Sequence, residues 1–353
     1  MELNVDLLLA GCDTECRHCY VNGGPGRLMP LEDALLCLQR LDEIAALLPF
    51  PASFTLDNEP IKHPEIAAIL RSAAGLKHIE HYHHGMTTGL ALLRRPDREA
   101  VVKSYLDCGC VSFGVTLHGD AAHHDEIVRR KGAFRASVEA AAFLKACGAE
   151  LNVSLLLNRF FREDAAALGR VIRELKPDFI YFAVPNYTPH ARMMGFEDYR
   201  ARLSDLVALS PLLRDWGQDA ETLLARAEQS TPGAVAEKLE RGLDLQALFR
   251  QEQQELYCAV RQDRRLYLGN TGAETALLGD LRTLDPALAA QRLSREPGNR
   301  DYTAFYDPDA LPEAGALAGA LRRLPVDRLY SDEASVLYRG LAELGVPTRI
   351  LAL

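Results

Sequence analysis

The chain has 353 residues, a formal net charge of -9, and 48% apolar and 25% charged residues, the composition of a folded globular protein rather than a disordered one. The acidic balance, with no Lys/Arg-rich run interleaved with aromatics, argues against a nucleic-acid binder. The longest early apolar stretch, Val5 to Ala10, is interrupted by Asp6 and falls far short of a signal h-region or a membrane span, so a cytoplasmic protein with no membrane partner is expected.

In chain order, residues 4–9, 53–56, 78–82, 111–117, 151–157 and 179–184 are short, mostly apolar or β-branched runs that predict six strands. Amphipathic stretches at 31–48, 64–74, 90–106, 133–146 and 164–175 lie between them, several stopped by Gly or Pro. Strands and helices that alternate in this way imply parallel pairing through right-handed crossovers. The expected fold is α/β, a partial (β/α)6 TIM-like barrel over residues 1–190. From 191 to 353 the alternation fails. Helices are predicted at 199–209, 220–229 and 234–253, one strand at 265–268, and further helices after Pro312. This mainly helical extension is expected to cover substrate at the barrel mouth.

Eight cysteines stand at 12, 16, 19, 37, 108, 110, 147 and 258. In a reducing compartment such a set suggests metal ligation or buried thiols before disulfides. Cys12, Cys16 and Cys19 form Cys-x3-Cys-x2-Cys directly after the first strand. Three thiolates at this spacing can hold three irons of a cubane and leave the fourth open. Two other readings use the same residues. Positions 12, 16 and 19 share one face of a helix, but Gly11, Asp13 and Thr14 before Gly23-Gly24-Pro25-Gly26 favour a loop. A zinc site would need His18, which adjoins Cys19 and is hard to turn inward beside it.

At these residues the chain resembles the radical SAM superfamily, whose pattern is Cys-x3-Cys-x-aromatic-Cys, with His18 in the aromatic position. Asp57-Asn58-Glu59-Pro60 resembles the superfamily's Gly-Gly-Glu-Pro, and His84 to Gly89 its Thr-Asn-Gly turn, with Thr88 in place of Asn. The run Val111 to Gly119, then His124-Asp125 and Arg130, is similar to a Ser-Leu-Asp-Gly...His-Asp...Arg run of peptide-modifying members, with Thr116 in the place of its serine. The resemblance implies a 4Fe-4S cluster on the three cysteines and S-adenosylmethionine held by Tyr20, Asn58, Glu59, Thr88, Thr116, Arg130 and Asn158. It further implies reductive cleavage to a 5'-deoxyadenosyl radical and an external electron donor such as flavodoxin or ferredoxin. Barrel strand ends add His118 and Asn186 as site candidates, and the lid adds Tyr187, His190 and Arg192.

Residues 256–259 and 266–270 resemble the start of a SPASM or twitch extension, but after Cys147 only Cys258 remains, too few cysteines for an auxiliary cluster. Cys258 is a core thiol or a hydrogen-atom donor to a substrate radical. The expected reaction is a tailoring step on a natural product, a small molecule or a peptide, such as epimerisation, dehydrogenation or C–C or C–S bond formation. The competing reading is a non-catalytic iron-sulfur redox or oxygen sensor.

Overall fold

The structure, a computed structural model, describes residues 1–21, 23–82, 84–251, 253–299 and 305–353. Its first half contains β1 (Glu2–Ala10), β2 (Ala52–Asn58), β3 (Glu80–His81), β4 (His84–Met86), β5 (Ser112–Leu117), β6 (Glu150–Leu156) and β7 (Phe179–Ala183). All their pairings are parallel. The expected third strand is in two pieces: β3 bonds to β2 and β4 to β5, so the wall bends there and runs on through β6 to β7. This is the partial α/β barrel that the alternation predicted.

The crossovers carry α1 (Leu31–Ala45), α2 (Ile66–Ala73), α3 (Leu90–Arg94), α4 (Arg98–Asp107), α5 (Ala121–Val128), α6 (Ala133–Ala146) and α7 (Phe161–Leu175). In α1 the buried Ala34, Leu38, Leu41 and Ala45 recur every three or four residues, which presents one apolar stripe to β1 and β2. The single helix expected over 90–106 is two, because Pro96 forces Arg95 into extended backbone. Helix α5 was not anticipated. Its start is fixed by the Asp120 side chain, which accepts from the amides of Ala122 and His123.

After β7 come α8 (Ala191–Met194), α9 (Leu203–Asp215), α10 (Ala220–Gln229), α11 (Pro232–Glu240) and α12 (Leu245–Phe249). The helix expected over 234–253 breaks near Gly242, whose φ of 98° is cheap only for glycine. Then follow β8 (Glu255–Val260), β9 (Arg265–Leu268), β10 (Ala276–Asp280), α13 (Pro286–Leu293), α14 (Ala314–Leu321) and α15 (Glu333–Glu343).

The sequence expectation of one strand in this region is corrected to three. β8 lies parallel to β1, with Val5 opposite Cys258, and carries the antiparallel β8-β9-β10 meander with it. The barrel wall is thus extended from outside its first 190 residues. Asp33 of α1, buried, ties this meander down by ion pairs to Arg264 at 2.8 Å and Arg282 at 2.6 Å. Among the described residues no helix is long and apolar enough to cross a membrane.

Along β1 and β2 the side chains alternate between two environments. Leu3, Val5, Leu7 and Phe54 enter the core under α1 and α2, while Asn4, Asp6, Ser53 and Thr55 face the barrel lumen and bond across the strands, Ser53 to Asn4 at 2.8 Å and Thr55 to Asp6 at 3.3 Å. The lumen is therefore polar. That matters for what it can admit.

Candidate active site

The cysteine loop leaves β1 at Ala10 and is folded by close backbone contact. Gly11 packs so tightly on the returning segment that a Cβ there would lie 2.1 Å from the Gly26 nitrogen, and the Cys12 amide donates to the Gly24 carbonyl at 2.8 Å. From the other side the loop bonds to the end of α5, Arg17 N to Ile127 O at 3.0 Å and Glu15 N to Val128 O at 3.3 Å. Asp13 is held by Lys62 at 2.9 Å and by Arg94. The motif is thus a loop pinned on three sides, which removes the buried-helix reading.

Cys12, Cys16 and Cys19 all line one cavity of about 230 Å³ at the C-terminal ends of the strands, many times the ~10–15 Å³ that a single water needs. The Thr14 hydroxyl lies 3.1 Å from Cys12 Sγ and 3.4 Å from Cys16 Sγ, and the Gly23 amide donates to Cys19 Sγ at 3.1 Å. Burial pushes the Cys12 thiol up to about 11 and the Cys16 thiol up to about 12. As free thiols these groups stay protonated at neutral pH, and only a bound cation favours their thiolates.

Across the cavity Asn58 has a φ of 64°. This is the left-handed conformation that Gly adopts freely and Asn tolerates, so the chain makes the turn of a Gly-Gly-Glu-Pro motif without its second glycine. Glu59 lines the cavity yet is wholly buried. The Thr87 hydroxyl donates to Oε1 at 2.5 Å and the Thr88 amide to Oε2 at 2.8 Å, and burial raises its carboxyl above the usual range. Thr88 and Thr116 line the cavity as well. Tyr20, half-exposed, completes this rim.

Three histidines form the remaining wall. His18 sits 4.5 Å, ring to ring, from His118, which sits 5.1 Å from His124. Burial pushes His18 down to about 3 and His124 down to about 4, so all three are neutral near pH 7. His124 Nδ1 accepts from the His118 amide at 3.3 Å. Residues beyond 190 reach this wall too: Phe196 packs 5.7 Å from His18 and the Arg17 guanidinium stacks 4.8 Å over Tyr199.

Several expected site residues do not reach the cavity. Arg130 follows α5 with its side chain in solvent. Asn158 is buried, but its amide donates to the His118 and Leu156 carbonyls and accepts from Phe160 N, so it shapes the start of α7. Cys258, a core thiol or a hydrogen donor on sequence alone, sits with the core: strand alternation puts it on the face of Val5, fully buried, where desolvation raises its thiol far above its ordinary value. Tyr187 is buried among the C-terminal helices, its amide donating to Ser335 Oγ at 3.1 Å. Asn186 gives its carbonyl to Arg200 at 2.8 Å, and His190 is absent from the cavity wall. The Arg192 side chain lies outside the described residues.

Residues the sequence reading did not place here include Thr14, Asp57, Met86 and Ser137. Only Asp57 carried a signal, as the acid beside Asn58-Glu59.

The family model described as the Radical SAM superfamily matches residues 7–171. Among solved structures, anSMEcpe with bound AdoMet and the Cp18Cys peptide aligns over 97% of this chain and 96% of its own, with a TM-score of 0.55 at 14% identity. Streptococcus suis SuiB bound to the precursor peptide SuiA aligns over 95% of this chain and 75% of its own, with a TM-score of 0.55 at 13% identity. At such identities the likeness is one of fold. No curated protein sequence matches the chain. Residues 7–171 therefore resemble the Radical SAM superfamily, on a fold that the chain shares with anSMEcpe and SuiB.

Proposed function

We propose that the chain is a radical SAM enzyme, working with a 4Fe-4S cluster and S-adenosylmethionine, that abstracts hydrogen from a peptide or natural-product substrate in a tailoring step such as epimerisation, dehydrogenation or C–C or C–S bond formation. One observation carries the reading: three thiols and the Asn58-Glu59 corner converge on one cavity above a polar lumen. The donor set fits a cubane with one open iron, because three soft ligands converge from one loop and Gly23 N and Thr14 supply the hydrogen bonds that a sulfur-ligated cluster uses. Cys12, Cys16 and Cys19 would hold the cluster. Glu59, Asn58, Thr88, Thr116 and Tyr20 would hold S-adenosylmethionine. When both are bound, the cluster supplies one electron that cleaves the sulfonium to a 5'-deoxyadenosyl radical.

The chain's own part is to orient and to exclude. Glu59, fixed by Thr87 and Thr88, keeps an oxygen lone pair for an ammonium group. The neutral histidines add no charge beside the cofactor. Region 191–353 is the substrate-covering part, and the packing of Phe196 and Tyr199 on the cysteine loop supports that role. Keeping water and stray C–H bonds away is a requirement of any radical step. Electrons would come from an external donor such as flavodoxin or ferredoxin.

Peptide is favoured because anSMEcpe and SuiB are both seen with peptides bound. The test supplies reduced, reconstituted enzyme with S-adenosylmethionine and a peptide pool deuterated on carbon. Deuterium in the 5'-deoxyadenosine formed is expected. Cleavage of the cofactor with no deuterium taken from any peptide would remove peptides as the substrate class.

A further inference from the structure

The lumen wall beneath the cavity holds two buried carboxyls, Asp6 and Asp57, to which the described residues supply hydrogen bonds but no Lys or Arg. Asp57, at the cavity end of β2, has its Oδ2 fully enclosed and without a hydrogen-bond partner, and it lines the cavity. Asp6 of β1 is on the same lumen-facing side, two positions along from the Leu8–Asp57 pair; burial, and then the Asp57 charge, raise the Asp6 carboxyl to about 7, and Thr271 hydrogen-bonds to both carboxyls. Every donor to Asp6 is neutral: Thr271 N at 3.1 Å, Thr271 Oγ1 at 3.2 Å and Thr55 Oγ1 at 3.3 Å. Glu274 adds a third carboxylate whose charge also bears on Asp57, but Glu274 has its own cation in Arg261, at 2.7 Å. Among the described residues no Lys or Arg forms an ion pair with Asp6 or Asp57.

Buried carboxylates are retained when they are paired, protonated or waiting for a cation. A divalent metal suits this place poorly, since a hard cation takes about six oxygens and only Asp57 offers one that is unused. A protonated amine needs fewer, strongly charge-assisted bonds and can share the rest with water. Asp57 replaces a residue that is glycine in the resembling motif, so this anionic oxygen is an addition by this chain.

We infer that Asp57, backed by Asp6, receives a protonated amine of the substrate and thereby selects a lysine-like or amine-bearing molecule. The inference rests on the cavity being the S-adenosylmethionine site, and the test separates the two claims. S-adenosylmethionine is first titrated calorimetrically into the reconstituted holoenzyme; absence of binding overturns the site itself. Nα-acetyl-lysine amide and Nα-acetyl-norleucine amide are then titrated into the cofactor-loaded enzyme. The lysine probe should bind about tenfold or more tightly than the norleucine probe, the scale of one hydrogen-bonded charge contact. Asp57→Asn should erase that preference, and Asp6→Asn should reduce it, in protein whose iron content and melting are those of the parent. Equal affinities for the two probes in the parent, or a preference that survives Asp57→Asn, overturns the inference. Should Asp57→Asn lower the affinity for S-adenosylmethionine while the lysine preference stays, Asp57 belongs to the cofactor and the inference is equally overturned.

Discussion

Replacing Thr87 by Val removes one hydroxyl with almost no change of shape. The hydroxyl meets a carboxylate, Glu59, that has no exposure to solvent. It donates to Oε1 at 2.5 Å, while Oε2 keeps the Thr88 amide at 2.8 Å. A hydrogen bond to a charged, buried partner is worth about 1.5–3 kcal/mol, and the Gly89 amide also loses its acceptor, a further ~1 kcal/mol. Thr87→Val should therefore cost roughly 2–4 kcal/mol and lower the melting temperature by several degrees. Part of that loss is avoided if Glu59 takes up a proton, which weakens its hold on an ammonium group. The assay is calorimetric titration of S-adenosylmethionine at two pH values. Affinity should fall about tenfold at neutral pH and recover partly at higher pH as Glu59 ionises again, with Thr87→Ser close to the parent throughout. A Thr87→Val protein with parental melting and parental affinity would refute the claim that Thr87 positions Glu59.

Gly11→Ala forces a Cβ to within 2.3 Å of Gly24 O and closer still to Gly26 N; displacing backbone costs about 1–3 kcal/mol, so the variant should retain less iron after reconstitution, and parental iron retention would show the loop to be compliant. Cys258→Ala should lose about 1 kcal/mol of stability but form 5'-deoxyadenosine at the parental rate; a collapse of that rate would return Cys258 to the site. Asp6 carries a carboxyl raised from 3.8 to about 7, so between those values the folded state holds a proton that the unfolded chain has released. Stability should fall as pH rises through that window, and Asp6→Asn should flatten the fall in melting temperature. An unchanged pH slope would remove Asp6 as its source.

The cysteine loop was legible because its information is local: spacing, flanking glycines and position after a strand lie within a dozen residues. The barrel alternation was legible for the same reason, each strand and helix carrying its own period. Pairing of β8 with β1 was not, since Val5 and Cys258 meet only through the fold, and a lone Cys on an apolar run reads alike whether it faces lumen or core. Strand parity settles it. The break between β3 and β4 escaped notice because residues 78–86, rich in His, carry no clean period-2 signal. Asn158 shows what a sequence does not carry: whether the amide of a polar strand end is free or, as here, bonded to backbone at the next helix start. Asp120 was the opposite case, a helix cap present in the sequence and passed over, which hid α5.

The most direct measurement is anaerobic reconstitution followed by iron and sulfide analysis and reduction in the presence of S-adenosylmethionine. One three-cysteine loop supports one cluster, so about four irons and four sulfides per chain and formation of 5'-deoxyadenosine are expected, both lost when Cys16 is changed to Ala. A Cys16→Ala protein that assembled its cluster and still cleaved S-adenosylmethionine would contradict the account.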